Sequence, residues 1–250
     1  MKYCCFILSI IICLYSSAAQ ADDYLAKKVT PDTTPEHKTS NVSFELDIAP
    51  YYENKRNEKD YYSVGFSFEA TFHEVLEFDI ASDFLSYQSP NLGISDLVIR
   101  LSWTFLDKKD FSISIDGLMD FPTGSEAFQE TEPIPTLGFT FDKKFGNFDA
   151  SLFLGSSFNP DYDENDKEAY YFDFGLAFEL DYTPDKKNSF GLIYSGYTPD
   201  QFVDGRPRSI MGLSYTRNLD EKNSLCLSLN KGLSQRGTDL LIAVIYKLSF

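Results

Sequence analysis

Between Tyr62 and Phe72 the chain alternates without a break, with Tyr62, Val64, Phe66, Phe68, Ala70 and Phe72 separated by Ser63, Gly65, Ser67, Glu69 and Thr71. A period of two sends successive side chains to opposite sides of a strand, so this segment has one apolar and one polar face. The same period recurs at Val42, Phe44, Leu46 and Ile48; at Leu76, Phe78, Ile80 and Phe84; at Leu97, Ile99, Leu101, Trp103 and Phe105; and at Phe111, Ile113, Ile115, Met119 and Phe121. It continues at Leu137, Phe139 and Phe141; at Phe148, Ala150, Leu152, Leu154 and Phe158; and at Tyr170, Phe172, Phe174, Leu176, Phe178 and Leu180. The last four segments are marked by Phe190, Leu192 and Tyr194; by Met211, Leu213 and Tyr215; by Leu225, Leu227 and Leu229; and by Leu240, Ile242, Val244, Tyr246, Leu248 and Phe250. No segment sustains an apolar stripe at 3.6 residues, so the fold class is all-β with about twelve strands.

The start of the chain has a different character. Lys2 precedes an apolar run from Cys4 to Tyr15, followed by the small and polar residues Ser16 to Ala21. This is the layout of a cleavable signal peptide, residues 1–21, and the run is too short for the roughly twenty residues of a spanning helix. Cleavage removes Cys4, Cys5 and Cys13 and leaves Cys226 alone, so no internal disulfide can form. Residues 22–41 are polar, contain Pro31 and Pro35 and lack either period, which predicts a short, mostly disordered periplasmic leader. Residues 42–250 form one strand-built domain. A formal net charge of −16 argues against nucleic acid as a partner.

The connections separate into two kinds. Tight polar turns at His73 to Val75, Asp107 to Asp110, Asp142 to Asn147, Pro184 to Asn188 and Asp220 to Asn223 alternate with longer links. The longer links are Asn54 to Asp60, Ser86 to Gly93, Thr123 to Pro133, Asn159 to Glu168, Pro199 to Pro207 and Ser234 to Thr238. Short periplasmic turns, longer outer loops and an even strand number are the properties of a transmembrane β-barrel in a bacterial outer membrane, with the amino terminus in the periplasm. A soluble sandwich or lipocalin-like barrel would alternate equally well. Filling the middle of a barrel of about twelve strands would, however, take more than one apolar row, so the apolar face is expected outward. Phe250 ends the last strand without a polar tail, as barrels inserted by the outer-membrane assembly machinery commonly do. Rings at strand ends, among them Tyr51, Tyr61, Tyr62, Trp103, Phe105, Phe111, Phe141, Phe148, Tyr170, Tyr182, Phe190 and Tyr215, suit aromatic girdles.

The polar phase then lines the lumen. It contains Glu45, Asp47, Glu69, Glu77, Asp79, Asp83, Asp96, Asp116, Asp120, Asp149, Asp173, Glu179, Asp181 and Asp239, with Arg100 and Lys247 as the basic members. An excess of carboxylates within a narrow low-dielectric wall favours cations if the lumen conducts. Lys231 falls in the outward phase near the outer end of its strand, where it can snorkel. His37 in the leader and His73 at a periplasmic turn are the only histidines, so no catalytic site is expected, and the sequence shows no metal-ligand cluster and no cofactor motif. The expected function is passage of small solutes, with outer-membrane lipid and lipopolysaccharide as surroundings. The competing expectation is a structural or adhesive barrel whose acidic loops, above all Asp161 to Glu168, bind a partner or divalent cations.

Two pieces carry a family likeness. Gly93-Ile94-Ser95-Asp96-Leu97-Val98-Ile99-Arg100-Leu101-Ser102-Trp103-Thr104-Phe105-Leu106 opens a strand with Gly-x-x-Asp, and Leu118-Met119-Asp120-Phe121-Pro122-Thr123-Gly124 closes one with Pro-Thr-Gly. In these the chain resembles the transporter barrels associated with phenol meta-degradation pathways. The resemblance implies an outer-membrane barrel that admits small, often aromatic or hydrophobic, compounds, and it assigns no residue to catalysis.

Overall fold

The computed structural model describes residues 42–55, 59–72, 75–128, 132–162, 168–197, 208–233 and 238–250. Residues 1–41, where a signal peptide and a leader are expected and which include His37, lie outside the described residues, as do His73, the link 198–207 and the middle of the acidic Asp161 to Glu168 loop. The strands are β1 (Val42–Lys55), β2 (Tyr61–Phe72), β3 (Leu76–Gln88), β4 (Asn91–Gly93), β5 (Leu97–Lys108), β6 (Phe111–Phe121) and β7 (Ile134–Phe145). They continue as β8 (Phe148–Tyr162), β9 (Glu168–Tyr182), β10 (Asn188–Tyr197), β11 (Arg208–Asn218), β12 (Asn223–Gly232) and β13 (Thr238–Ser249).

Every pairing is antiparallel, each long strand neighbours its successor, and β13 returns to β1 through Glu45↔Ser249 to Lys55↔Thr238. The twelve long strands thus close into a barrel, while three-residue β4 doubles back on the end of β3 through Gln88↔Asn91. Closure leaves no edge whose backbone groups would go unpaired in hydrocarbon. The strands are 10 to 15 residues long, enough for a tilted strand to cross a bilayer core.

Several strands run further than the apolar pattern. β1 extends through Tyr51, Tyr52 and Glu53, and β8 and β9 pair as far as Tyr162↔Glu168. The ladder is made of backbone groups, so polar residues continue it once the hairpin is in register. Asp142, which the sequence pattern places in a turn, is therefore a strand residue of β7. Two short turns share one device. The Asp220 carboxyl accepts the backbone N–H groups of Lys222 and Asn223 at 2.8 and 2.9 Å and the Asn223 side-chain amide, and Asp185 does the same toward Lys187 and Asn188. The Lys222 N–H holds Asp220, and the Asn188 amide holds Asp185, below the usual carboxylate range.

The outer surface is apolar. Leu137, Phe172 and Leu213 are each more than 60% exposed (61%, 63% and 62%), within a continuous population of outward Phe, Leu, Ile and Tyr side chains. A soluble protein rarely exposes such a belt, and a bilayer supplies its solvent. Near the short turns Phe145, Phe148 and Tyr182 form a run of rings, and the Phe190 ring lies tilted against Tyr215. There the Tyr215 and Tyr246 hydroxyls donate to the turn residues Asn188 and Asn223 at 2.7 and 2.6 Å. Tyr52, Tyr62 and Tyr87 form a corresponding row near the long loops. Rings with an apolar body and a polar tip at both rims are interfacial girdles. Lys231 is exposed on the outer face, in the phase expected of it.

Candidate functional site

The inward face of the barrel has two unlike walls. One arc, β1 to β9, carries the acids. Glu45, Asp47, Glu53, Glu69, Glu77, Asp79, Asp83, Asp116, Asp120, Asp142, Asp173, Glu179 and Asp181 are all buried there. Of the candidate positions, Glu69, Glu77, Asp79, Asp83, Asp116, Asp120, Asp173, Glu179, Arg100 and Lys247 are buried, and Glu53 and Asp142 join them because β1 and β7 run further than their apolar residues indicate. Asp149 is only partly buried and pairs with Lys144 at 2.8 Å.

Arg100 organises the middle of this wall. It sits on β5 between β3 and β6, with no exposed surface. Its Nη2 lies 3.1 Å from Glu77 and 3.0 Å from Asp116, its Nε donates to Asp116 at 3.1 Å, and its Nη1 reaches Asp79 at 3.4 Å. The second Asp116 oxygen accepts the Thr140 hydroxyl at 2.7 Å. Lys247 pairs with Glu45 at 3.0 Å, and Ser249 donates to the same carboxylate. These cross-strand pairs follow from register, since Glu69, Asp79 and Arg100 are successive neighbours across β2, β3 and β5.

The other arc, β10 to β13, turns Ile193, Ile210, Cys226, Leu241, Ala243 and Ile245 inward together with Ser and Thr side chains. Among the described side chains of this arc, Lys247 is the sole inward charge. The strands here are apolar on both faces: Leu240, Ile242 and Val244 mark the outward phase, and Leu241, Ala243 and Ile245 are the residues between them. Tyr51 and Tyr61 also require correction. Both are buried inside, at 5% and 6% exposure, rather than in a girdle. Parity explains it, because Tyr51 shares the face of Asp47 and Tyr61 that of Ser63.

The long-loop end of the lumen is closed by a segment of the β6–β7 connection. Phe128 is buried with Tyr51, Tyr61, Ile210, Leu241 and Ala243, its ring centroid 6.0 Å from that of Tyr61. Beneath it the Tyr51 and Tyr61 hydroxyls both donate to Asp83, and Tyr61, Ser86 and Ser95 form a hydroxyl cluster. Ser86 reaches this cluster because a register shift opposite Val64 and Gly65 turns Phe84 and Leu85 both outward and flips the phase of β3.

The two motifs singled out in the sequence meet here. The Gly124 N–H donates to Asp96 at 2.7 Å, the Leu97 N–H to the Thr123 hydroxyl at 3.0 Å, and Ile94 and Ser125 exchange bonds through the Ser125 hydroxyl and the Ile94 carbonyl. A side chain at Gly93 would stand 2.4 Å from the Ser125 oxygen, and one at Gly124 would stand 2.9 Å from the Ile94 carbonyl, so both must be glycine for the segments to lie this close. Gly-x-x-Asp and Pro-Thr-Gly are the two halves of one latch that aims Phe128 into the mouth. Asp96, although fully buried, is committed to the Gly124 amide and acts as a latch, not as open wall. Replacing Asp96 with alanine strands that N–H and is expected to loosen the latch by about 1–3 kcal/mol. Cleavage by a Glu-specific protease within Ser125 to Glu132 should accelerate while the barrel stays folded, and Asp96→Asn should retain most of the protection.

The lumen also gathers three carboxylates that sequence spacing does not bring together. One oxygen from each of Glu69, Glu77 and Asp79 lies within 4.8 Å of the other two.

A family model described as "Putative MetA-pathway of phenol degradation" matches residues 30–242. No curated protein matches the chain. Among solved structures the fold is similar to the COG4313 outer membrane channel from Pseudomonas putida F1, at 12% identity and a TM-score of 0.68, covering 89% of this chain and 100% of that one. It is also similar to the NanC porin, at 8% identity and a TM-score of 0.65 over 82% of this chain and 98% of that one. The KdgM porin in complex with disordered oligogalacturonate is similar at 14% identity and a TM-score of 0.55, over 82% and 99%. At such identities the likeness is one of fold.

Proposed function

The chain belongs to the family whose model it matches over residues 30–242, and from that premise we propose that it is a non-enzymatic channel of the bacterial outer membrane for small solutes with an aromatic or apolar part. The observation that carries this reading is the divided lumen. An acidic arc supplies polar contacts and a negative potential, and the β10–β13 arc with Tyr51, Tyr61 and Phe128 supplies apolar surface. A solute with one polar and one apolar side suits such a passage, and anions are repelled by it.

The inward side chains are nearly inaccessible to water, with Asp79, Asp83 and Arg100 at 0% exposure. Passage is therefore restricted to small molecules and requires the Phe128 segment to move. In this reading a signal peptide directs export, the leader and short turns face the periplasm, the long loops meet lipopolysaccharide, and β13 with Phe250 after it addresses the assembly machinery.

Planar-bilayer recordings of the purified chain test this. Small unitary conductance with a reversal potential favouring cations, reduced by a small aromatic solute, is the expected result. A chain that inserts but never conducts would instead support the structural or adhesive reading.

A further inference from the structure

We propose that Glu69, Glu77 and Asp79 hold a calcium ion inside the barrel, on the short-turn side of Arg100. The three carboxylates converge within 4.8 Å. A second observation points to a ligand rather than to mutual repulsion alone. Glu69 Oε2 and Asp79 Oδ1 are buried oxygens with no hydrogen-bond partner among the described residues, although Glu69 Oε1 accepts the Thr71 hydroxyl and Asp79 Oδ2 faces Arg100. Glu69 and Asp79 are 3% and 0% exposed, so water does not reach these oxygens from a bulk phase.

Charge balance carries the inference further. The groups that face this point are Glu45 and Asp47 on β1, Glu69 on β2, Glu77 and Asp79 on β3, Arg100 on β5, Asp116 on β6 and Lys247 on β13. Arg100 is engaged with Glu77, Asp79 and Asp116, and Lys247 with Glu45. Two cations thus face six carboxylates. Uncompensated charge in a low-dielectric wall costs several kcal/mol per ion, so the excess is met either by a bound cation or by protonation, and the calcium dependence measured below separates the two.

Hard carboxylate oxygens are ligands for calcium or magnesium. Calcium accepts an irregular shell at 2.3–2.6 Å, whereas magnesium demands a near-ideal octahedron and gives up water reluctantly. Three carboxylates fixed on two paired strands and partly engaged by Arg100 cannot reorganise into an octahedron, which favours calcium. The ion stands beside the passage and needs no conduction, so this inference goes beyond the channel reading.

The test uses the full mature chain folded in detergent. Calcium binding is measured by equilibrium dialysis, and the midpoint of heat-modifiable gel migration is measured in calcium, in magnesium and in chelator. The expected result is one calcium per chain and a midpoint that rises in calcium more than in magnesium. Glu69→Gln/Asp79→Asn should weaken binding at least ten-fold and lose the calcium response. It should also exceed the unsubstituted chain in chelator, because it carries less buried charge, and that gain separates loss of the ion from a failure to fold. Glu221→Gln, at an exposed turn, should leave the response intact.

A midpoint equal in calcium and chelator, or a response that survives in the double variant, would overturn the proposal. The channel reading fails separately, by absence of conductance, whatever the calcium result.

Discussion

Replacing Arg100 with alanine is expected to destabilise the barrel by about 3–5 kcal/mol at neutral pH in chelator, the range for removing one partner of a buried charge network. The guanidinium has no exposed surface and meets Glu77, Asp79 and Asp116 within 3.4 Å. Without it these carboxylates lose their main counter-charge and either stay charged at high cost or take up protons. Arg100→Lys should lose less charge but cannot span three acids on β3 and β6, since an ammonium lacks the planar fork. The decisive comparison is a double-mutant cycle with Asp79→Asn, because neutralising one of the stranded acids should restore about 1 kcal/mol or more of the loss. Denaturant titration in detergent, followed by gel migration, reads all four corners. Additive losses would mean that Arg100 acts through packing and not through charge.

The second large effect is functional. Phe128→Ala should raise unitary conductance several-fold while leaving the midpoint of barrel unfolding nearly unchanged. A Phe→Ala change in a core ordinarily costs about 3–5 kcal/mol. Here the ring belongs to a connection laid across the mouth, whereas the barrel is closed by the β1–β13 ladder, which Phe128 does not join. The loss should therefore fall on the closed position of the segment. Phe128→Tyr keeps the ring against Tyr61 and should conduct like the unsubstituted chain. Unchanged conductance in Phe128→Ala would mean that the constriction lies elsewhere, with the Arg100 network as the next narrow point. The same recording in Asp96→Ala separates the plug from its latch, since a loosened latch should produce brief openings rather than a steady gain.

Much of this was legible in the chain because a strand's two faces are written in the parity of its residues. The twelve strands, their alternating turns and the outward apolar face all follow from counting by two. Tyr51 and Tyr61 show the limit of reading residue type ahead of parity. They resemble girdle aromatics by type and share a face with Asp47 and Ser63 by position, and the structure follows position. The apolar β10–β13 arc was obscured for another reason. Where both faces are apolar, as around Leu240 to Ile245, alternation disappears and the inward set no longer stands out from the outward one.

The Pro-Thr-Gly and Gly-x-x-Asp segments mark the remaining boundary. Each could be recognised and each had a local explanation as a strand end. That Asp96 caps Gly124, and that the pair aims Phe128 at Tyr61, depends on segments 28 residues apart meeting across a hairpin. The meeting of Glu69, Glu77 and Asp79 likewise depends on strand register, and the phase of Ser86 on a bulge that no spacing announces. The sequence by itself determined the period, and hence which side chains face lipid and which face the lumen, because that choice is local to each strand. Only the tertiary structure decided which inward residues touch, because register, bulges and the path of a loop across the mouth are set by pairing between strands, where the energy lies in contacts that one strand cannot make alone.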